Sequence, residues 1–160
     1  MEAVVFVRAV RRRPRVGETA PRPRRVELAS GADALPGARA LVERLKDRVP
    51  IAVASNSPRS FVAAALASTG LHELFDHVLA AEDVTIAKPA PDLYLAACAV
   101  LRADPARSVA FEDSPTGVAA ARAAGMYVVG VPSLPRVGLD TDATYPSLAD
   151  QALTAWATET

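Results

Sequence analysis

Two carboxylates stand side by side in Phe111-Glu112-Asp113-Ser114-Pro115-Thr116-Gly117, between a short apolar run and a Ser-Pro helix start. Adjacent like charges raise one another's pKa unless a cation or hydrogen bonds compensate them. The pair therefore reads as a site for a divalent ion, Mg2+ above all, which takes oxygen ligands and needs only one or two protein carboxylates. The same string also reads as a plain helix start, with Asp113 or Ser114 capping the turn opened by Pro115. A second polar station, Ser55-Asn56-Ser57, follows the apolar run Ile51–Ala54. A hydroxyl and main-chain N–H groups at such a strand end can hold phosphate oxygens, although Ser57 before Pro58 is equally an ordinary N-cap. The third station is Lys88, one of two lysines in the chain, set between Ile86-Ala87 and Pro89-Ala90-Pro91. Proline stiffens the backbone that carries the ammonium, which suits a phosphate or carboxylate partner; taken alone, it is a solvated loop lysine.

In an open parallel sheet, ligands bind beyond the carboxyl ends of the strands, and the elements around the three stations place them there. After Leu35 short apolar runs alternate with helical stretches, the pattern of an α/β fold with a parallel sheet covered by helices. Pro36-Gly37 opens a helix through Lys46 carrying Ala38, Leu41 and Leu45 on one face; Ile51–Ala54 is a buried strand; Ser57-Pro58 caps a helix to Gly70 whose stripe is Phe61, Ala65 and Leu66. Next come a strand from Val78 to Ala80, a helix from Pro91 with Leu93, Ala97, Val100 and Leu101 in phase, and a strand from Ser108 to Phe111. A helix from Pro115 to Gly125, a strand from Tyr127 to Val131 and a terminal helix from Leu148 to Trp156 complete the series. Near the start, Glu2-Ala-Val-Val-Phe6 reads as one more short buried strand.

The order Ser55, Lys88, Glu112-Asp113, with steps of 33 and 24 residues, together with Phe-Glu-Asp-Ser-Pro-Thr-Gly-Val running on into Ala-Ala-Ala-Arg-Ala-Ala-Gly-Met, resembles the haloacid dehalogenase-like hydrolases. The resemblance covers roughly residues 35–150. It implies a Rossmann-like three-layer α/β core, phosphate binding by Ser55, Asn56 and Lys88, with Lys88 in a supporting catalytic role, and Mg2+ held by Glu112 and Asp113. The partner it implies is a small phosphorylated metabolite, handled by phosphatase or phosphomutase chemistry. In that family an Asp on the first strand attacks phosphorus and a second Asp handles the proton; here those positions fall on Val7 and Ala9, and the first Asp anywhere is Asp33. The 44 residues from Arg8 to Ile51 are also too few for an inserted cap, so the cap is expected to be absent or vestigial. Impaired turnover follows; the alternative is a non-catalytic phosphate- and metal-binding or regulatory module.

At 160 residues with 51% hydrophobic content, the chain matches one domain with a real core. That core domain is expected over residues 33–160, behind an atypical Arg/Pro-rich segment over residues 1–32 that is disordered or extended after its short strand. This front part holds eight Arg against Glu2, Glu18 and Glu27, a net of +5 in a chain of zero formal charge. Such an arm could contact nucleic-acid phosphates, but no aromatic residue interleaves the arginines and the remainder is acidic, which argues against that partner. Arg and Pro also dominate out-of-frame translation of GC-rich DNA, so a scrambled reading frame at the start is the favoured origin. Cys98, the single cysteine, sits in a small apolar helical context and reads as a packing residue. No apolar stretch approaches 18 residues, so neither a membrane span nor a secretory leader is expected and the cytoplasm is the expected compartment. His72 and His77 read as residues flanking the turn at 73–76, and Trp156 as the anchor of the last helix. Oligomeric state is left open.

Overall fold

A computed structural model describes residues 3–6, these as backbone, together with 34–132 and 138–158. The Arg/Pro-rich run, Val7 and Ala9 lie outside the described residues. The elements are β1 (Ala3–Phe6), α1 (Ala38–Leu45), β2 (Ile51–Ala54), α2 (Arg59–Thr69), β3 (His77–Leu79), α3 (Asp92–Val100), β4 (Val109–Glu112), α4 (Pro115–Ala123), β5 (Tyr127–Gly130), β6 (Ala143–Thr144) and α5 (Gln151–Thr158). They form one sheet in the order β3-β2-β1-β4-β5-β6.

β2 is apolar throughout, and β4 is apolar up to its last residue, Glu112, because both their faces are covered, the signature of a doubly packed sheet. Side chains alternate across the sheet. Ile51, Val109, Phe111 and Val129 meet Leu41, Val42 and Leu45 of α1 and Leu153 of α5 on one face. Val53 packs with Val62 and Leu66 of α2. Ala52, Ala54, Ala110 and Val128 meet Leu93, Tyr94 and Ala97 of α3 and Val118 and Ala121 of α4 on the other. The alanines on this second face let α3 and α4 approach closely, which brings the site residues within hydrogen-bond reach of one another. The fold is thus the expected three-layer α/β arrangement.

Two packing expectations are corrected. Phe61 is 58% exposed and Val62 is buried in its place: the α2 stripe runs through Val62 and Leu66, four residues apart, and Phe61 lies a third of a turn away from it. Val100 is likewise exposed. The two-residue β6 was not anticipated, being too short to show a period. Trp156 does anchor the last helix, its ring lying 6.0 Å from that of Tyr127. His72 begins a 3₁₀ turn and His77 opens β3, so both flank the turn as read.

The pairs β2–β3, β4–β5 and β5–β6 are parallel. The central strand β1 runs the other way, antiparallel to both neighbours, with Ala3 opposite Ala54 and Phe6 opposite Ile51 and Val109. A four-residue apolar strand carries no directional signal, because its hydrogen-bond ladder closes in either sense. The consequence is positional: the carboxyl end of β1 lies beside the amino ends of β2 and β4, on the edge of the sheet opposite Ser55 and Glu112.

Candidate active site

The carboxyl ends of β2 and β4 are separated by one strand, and the loop from β3 to α3 brings Lys88 between them. Asn56 sets that loop in place. Its side-chain Oδ1 accepts the Lys88 main-chain N–H at 3.0 Å and its Nδ2 donates to the Lys88 carbonyl at 3.2 Å, a reciprocal clamp across 32 residues. The Lys88 side chain then runs inward until it is 7% exposed. Its ammonium donates to the Ala54 carbonyl at 3.0 Å, to Tyr94 Oη at 3.2 Å and to Glu112 Oε1 at 2.9 Å.

Glu112, the last residue of β4, is 3% exposed and turned into this cluster. A buried carboxylate needs both charge and hydrogen-bond compensation, and here it has both. Oε1 accepts from Lys88 and from the Tyr94 hydroxyl, and Oε2 accepts from Ser114 Oγ at 3.2 Å. Burial first, then the charge and hydrogen bond of Glu112, then the charge of Asp113, hold the Tyr94 hydroxyl well above the ordinary phenol pKa, so it remains a donor. Ser114 is the N-cap of α4, its Oγ accepting the Gly117 N–H at 3.1 Å while donating to Glu112. The helix-start reading of this string thus holds, with Ser114 as the cap, while the acid beside it faces an ammonium.

Gly117 completes the cradle. A Cβ on this residue would fall 1.9 Å from the Glu112 carboxyl carbon, so the carboxylate lies directly on the first turn of α4 where only glycine leaves room. Neither Tyr94 nor Gly117 was picked out from sequence. A glycine inside a helix costs about 1 kcal/mol against alanine, which makes Gly117 in the first turn a usable signal. The six-residue step from Lys88 to the only aromatic residue of α3 was the other.

Ser55 is buried at the end of β2, its Oγ accepting the Ser57 N–H at 3.0 Å and its own N–H bonded to the Leu79 carbonyl. Ser57 is not the side-chain cap expected for α2. The Glu82 carboxylate caps that helix from the β3–α3 loop, accepting the Arg59 N–H at 3.0 and 3.1 Å. Asp113 stands half-buried, with its carboxylate in no hydrogen bond or ion pair to another described residue. The structure thus gathers Asn56, Lys88 and Glu112 directly, with Ser55 adjoining through the Ala54 carbonyl, and leaves Asp113 open at the rim.

Cys98 is a buried packing residue whose thiol lies 3.8 Å from Ser108 Oγ, and burial pushes its pKa up. Among the described residues no three His, Cys, Asp or Glu side chains come together as a metal cluster. Glu112 as arranged does not fit a divalent ion, since both its oxygens already face donors and one of these is an ammonium. Asp113 alone offers an open carboxylate. Among the described residues no helix is long and apolar enough to cross a membrane.

Comparison with known proteins gives the family. Residues 6–125 match the model of the haloacid dehalogenase-like hydrolases. The chain is 38% identical over 96 residues to validoxylamine A 7'-phosphate phosphatase of Streptomyces hygroscopicus subsp. limoneus, covering 59% of this chain and 45% of that protein. It is 42% identical over 91 residues to fructose-1-phosphate phosphatase YqaB of Escherichia coli K12, covering 57% and 48%. Among solved structures, a haloacid dehalogenase family hydrolase from Deinococcus radiodurans R1 with bound phosphate and sodium superposes with a TM-score of 0.71 at 36% identity, over 78% of this chain and 60% of that one. The chain spans less than half the length of these two curated relatives.

Proposed function

Because the chain belongs to the haloacid dehalogenase-like hydrolases, we propose that its site binds the phosphoryl group of a small phosphorylated metabolite and turns it over feebly or not at all. The relatives named above are phosphatases of small phosphorylated metabolites. The observation that carries the reading is Lys88: an ammonium brought to the carboxyl ends of β2 and β4 by the Asn56 clamp, beside the strand-end loop Ser55-Asn56-Ser57. A phosphoryl group entering this edge would meet that positive charge and the Asn56 main-chain N–H, which has no acceptor among the described residues. Lys88 supplies attraction and Asn56 orients the loop that carries it. These are binding and electrostatic roles, and such roles survive the loss of a covalent catalyst at a cost of several orders of magnitude in rate.

Two observations favour the non-catalytic form of this reading. No Asp precedes Asp33 in the sequence, and the carboxyl end of β1 lies on the sheet edge away from Lys88. Glu112 is an unsuitable nucleophile where it stands, since an ammonium and two hydroxyls engage three of its roughly four lone pairs.

The test is phosphate binding by 31P line broadening alongside hydrolysis of p-nitrophenyl phosphate. We expect inorganic phosphate to bind with a Kd of about 1 mM, equivalent to about −4 kcal/mol, to lose that binding in Lys88→Gln, and to show hydrolysis no faster than an Asp113→Asn control. Absence of phosphate binding in the folded chain overturns the reading. Robust hydrolysis that Asp113→Asn abolishes overturns the impaired form of it.

A further inference from the structure

Glu112 and Asp113 adjoin in sequence, yet only one of them is open. Lys88 is fixed at both ends: Asn56 holds its main chain, and Ala54, Tyr94 and Glu112 surround its ammonium. The acid is fixed as firmly, with Tyr94 and Ser114 on its two oxygens and the α4 turn at Gly117 against its carboxyl carbon. A divalent ion arriving at Glu112 would have to share Oε1 with an ammonium already 2.9 Å away, in surroundings too dry to screen the repulsion. Moving Lys88 aside would break three hydrogen bonds at once.

We propose that Lys88 is the resident counter-ion of Glu112 and excludes a divalent cation from it, so that metal meets Asp113 alone. Lys88 here does for Glu112 what a bound metal would otherwise do, supplying the positive charge that lets a carboxylate stay buried. Metal affinity is then set by one half-buried carboxylate and is weak. The corollary is that removing the ammonium frees a second, pre-positioned carboxylate beside Asp113, and affinity rises. The inference deepens the site proposed above and rests on it only for location. Its test contains no phosphate, so failure of either proposal leaves the other standing.

The experiment is Mn2+ titration of the full chain, with free Mn2+ read by its EPR signal and Mg2+ used as competitor. In the otherwise unchanged chain, Glu112→Gln should leave Mn2+ affinity within about twofold, whereas Asp113→Asn should remove whatever binding is present. Lys88→Met should bind Mn2+ at least about tenfold more tightly than the parent, a gain abolished in Lys88→Met/Glu112→Gln. Should Lys88→Met fold only once Mn2+ is added, as followed by far-ultraviolet circular dichroism, that is also the expected result, since the metal then replaces the missing charge. Three outcomes overturn the proposal: weakening of at least about tenfold in Glu112→Gln, no gain in folded Lys88→Met, or a Lys88→Met chain that stays unfolded at saturating Mn2+.

Discussion

Gly117→Ala sets two effects of opposite sign against each other. Alanine is the better helix former, by about 1 kcal/mol in a helix interior and less in the first turn. Against this, the new Cβ would sit 1.9 Å from the Glu112 carboxyl carbon and Oε1, and 2.0 Å from Oε2. The contact is with a carboxylate pinned by three donors, so the yielding group is the most constrained one nearby. Overpacking of this kind costs about 1–3 kcal/mol, and if Glu112 is expelled, Lys88 is left buried without its partner at about 3–5 kcal/mol. The steric and ionic costs exceed the propensity gain, and a net loss of about 3 kcal/mol corresponds to a fall in Tm of roughly 6–12 °C for a chain of this size. Thermal unfolding followed by circular dichroism reads the shift. The same substitution made on a Glu112→Ala background has no carboxylate to meet and should be neutral or stabilising by up to about 1 kcal/mol, so the double-mutant cycle isolates the contact. A Gly117→Ala chain as stable as the parent would refute the cradle and return Gly117 to the status of an ordinary helix residue.

Tyr94→Phe removes the hydroxyl that donates to Glu112 and accepts from Lys88 and should lower stability by about 1–3 kcal/mol with unchanged far-ultraviolet dichroism. Because burial raises the Tyr94 pKa in the folded state, the folded chain retains a proton the unfolded chain gives up. Its contribution is therefore complete below about pH 10 and stability falls as pH climbs above that value. Tyr145 shifts the same way, so the loss should be smaller, not absent, in Tyr94→Phe; denaturant melts at pH 8 to 11, all about 25 °C, check the slope, and an unchanged slope would contradict the burial of that phenol. Glu82→Ala uncaps α2 at the Arg59 N–H and should cost about 0.5–2 kcal/mol, measured as a drop in Tm, while Ser57→Ala should cost less because Ser57 caps nothing there.

What could be read in the sequence follows the range of the interactions that decide it. The buried strands β2 and β4 announce themselves because covering both faces of a sheet demands unbroken apolar runs, and the helices around them follow from Pro and Gly at their ends. Lys88 and Glu112 were legible as chemistry-bearing residues, since one is a lone ammonium beside an apolar run and the other heads an adjacent acid pair at the end of one. Their pairing was not, because it depends on the height at which α3 and β4 stack. Tyr94 escaped notice for a related reason: Leu93 and Ala97 mark the buried stripe of α3, and the hydroxyl beside them acquires meaning only when Glu112 arrives from 18 residues away. The Glu82 cap spans 23 residues, a distance at which local preference for Ser57 carries no weight. The stripe of α2 was misplaced because its first turn begins after Pro58, which rotates Phe61 out of the buried face.

The direction of β1 bears on how the Lys88 charge is met. A buried ammonium must face negative charge, and in a site whose first strand ended in an aspartate that strand would supply it. Here the carboxyl end of β1 lies at the opposite edge of the sheet, and the sequence up to Asp33 contains no aspartate to offer. The carboxylate that meets Lys88 is that of Glu112, and α4 presents a glycine where its carboxyl group lies. The resulting cluster is charge-balanced and stable with no ligand present. A phosphoryl group reaching this ammonium must compete with Glu112 for it, and a metal reaching Glu112 must compete with the ammonium, because the two charges already lie 2.9 Å apart.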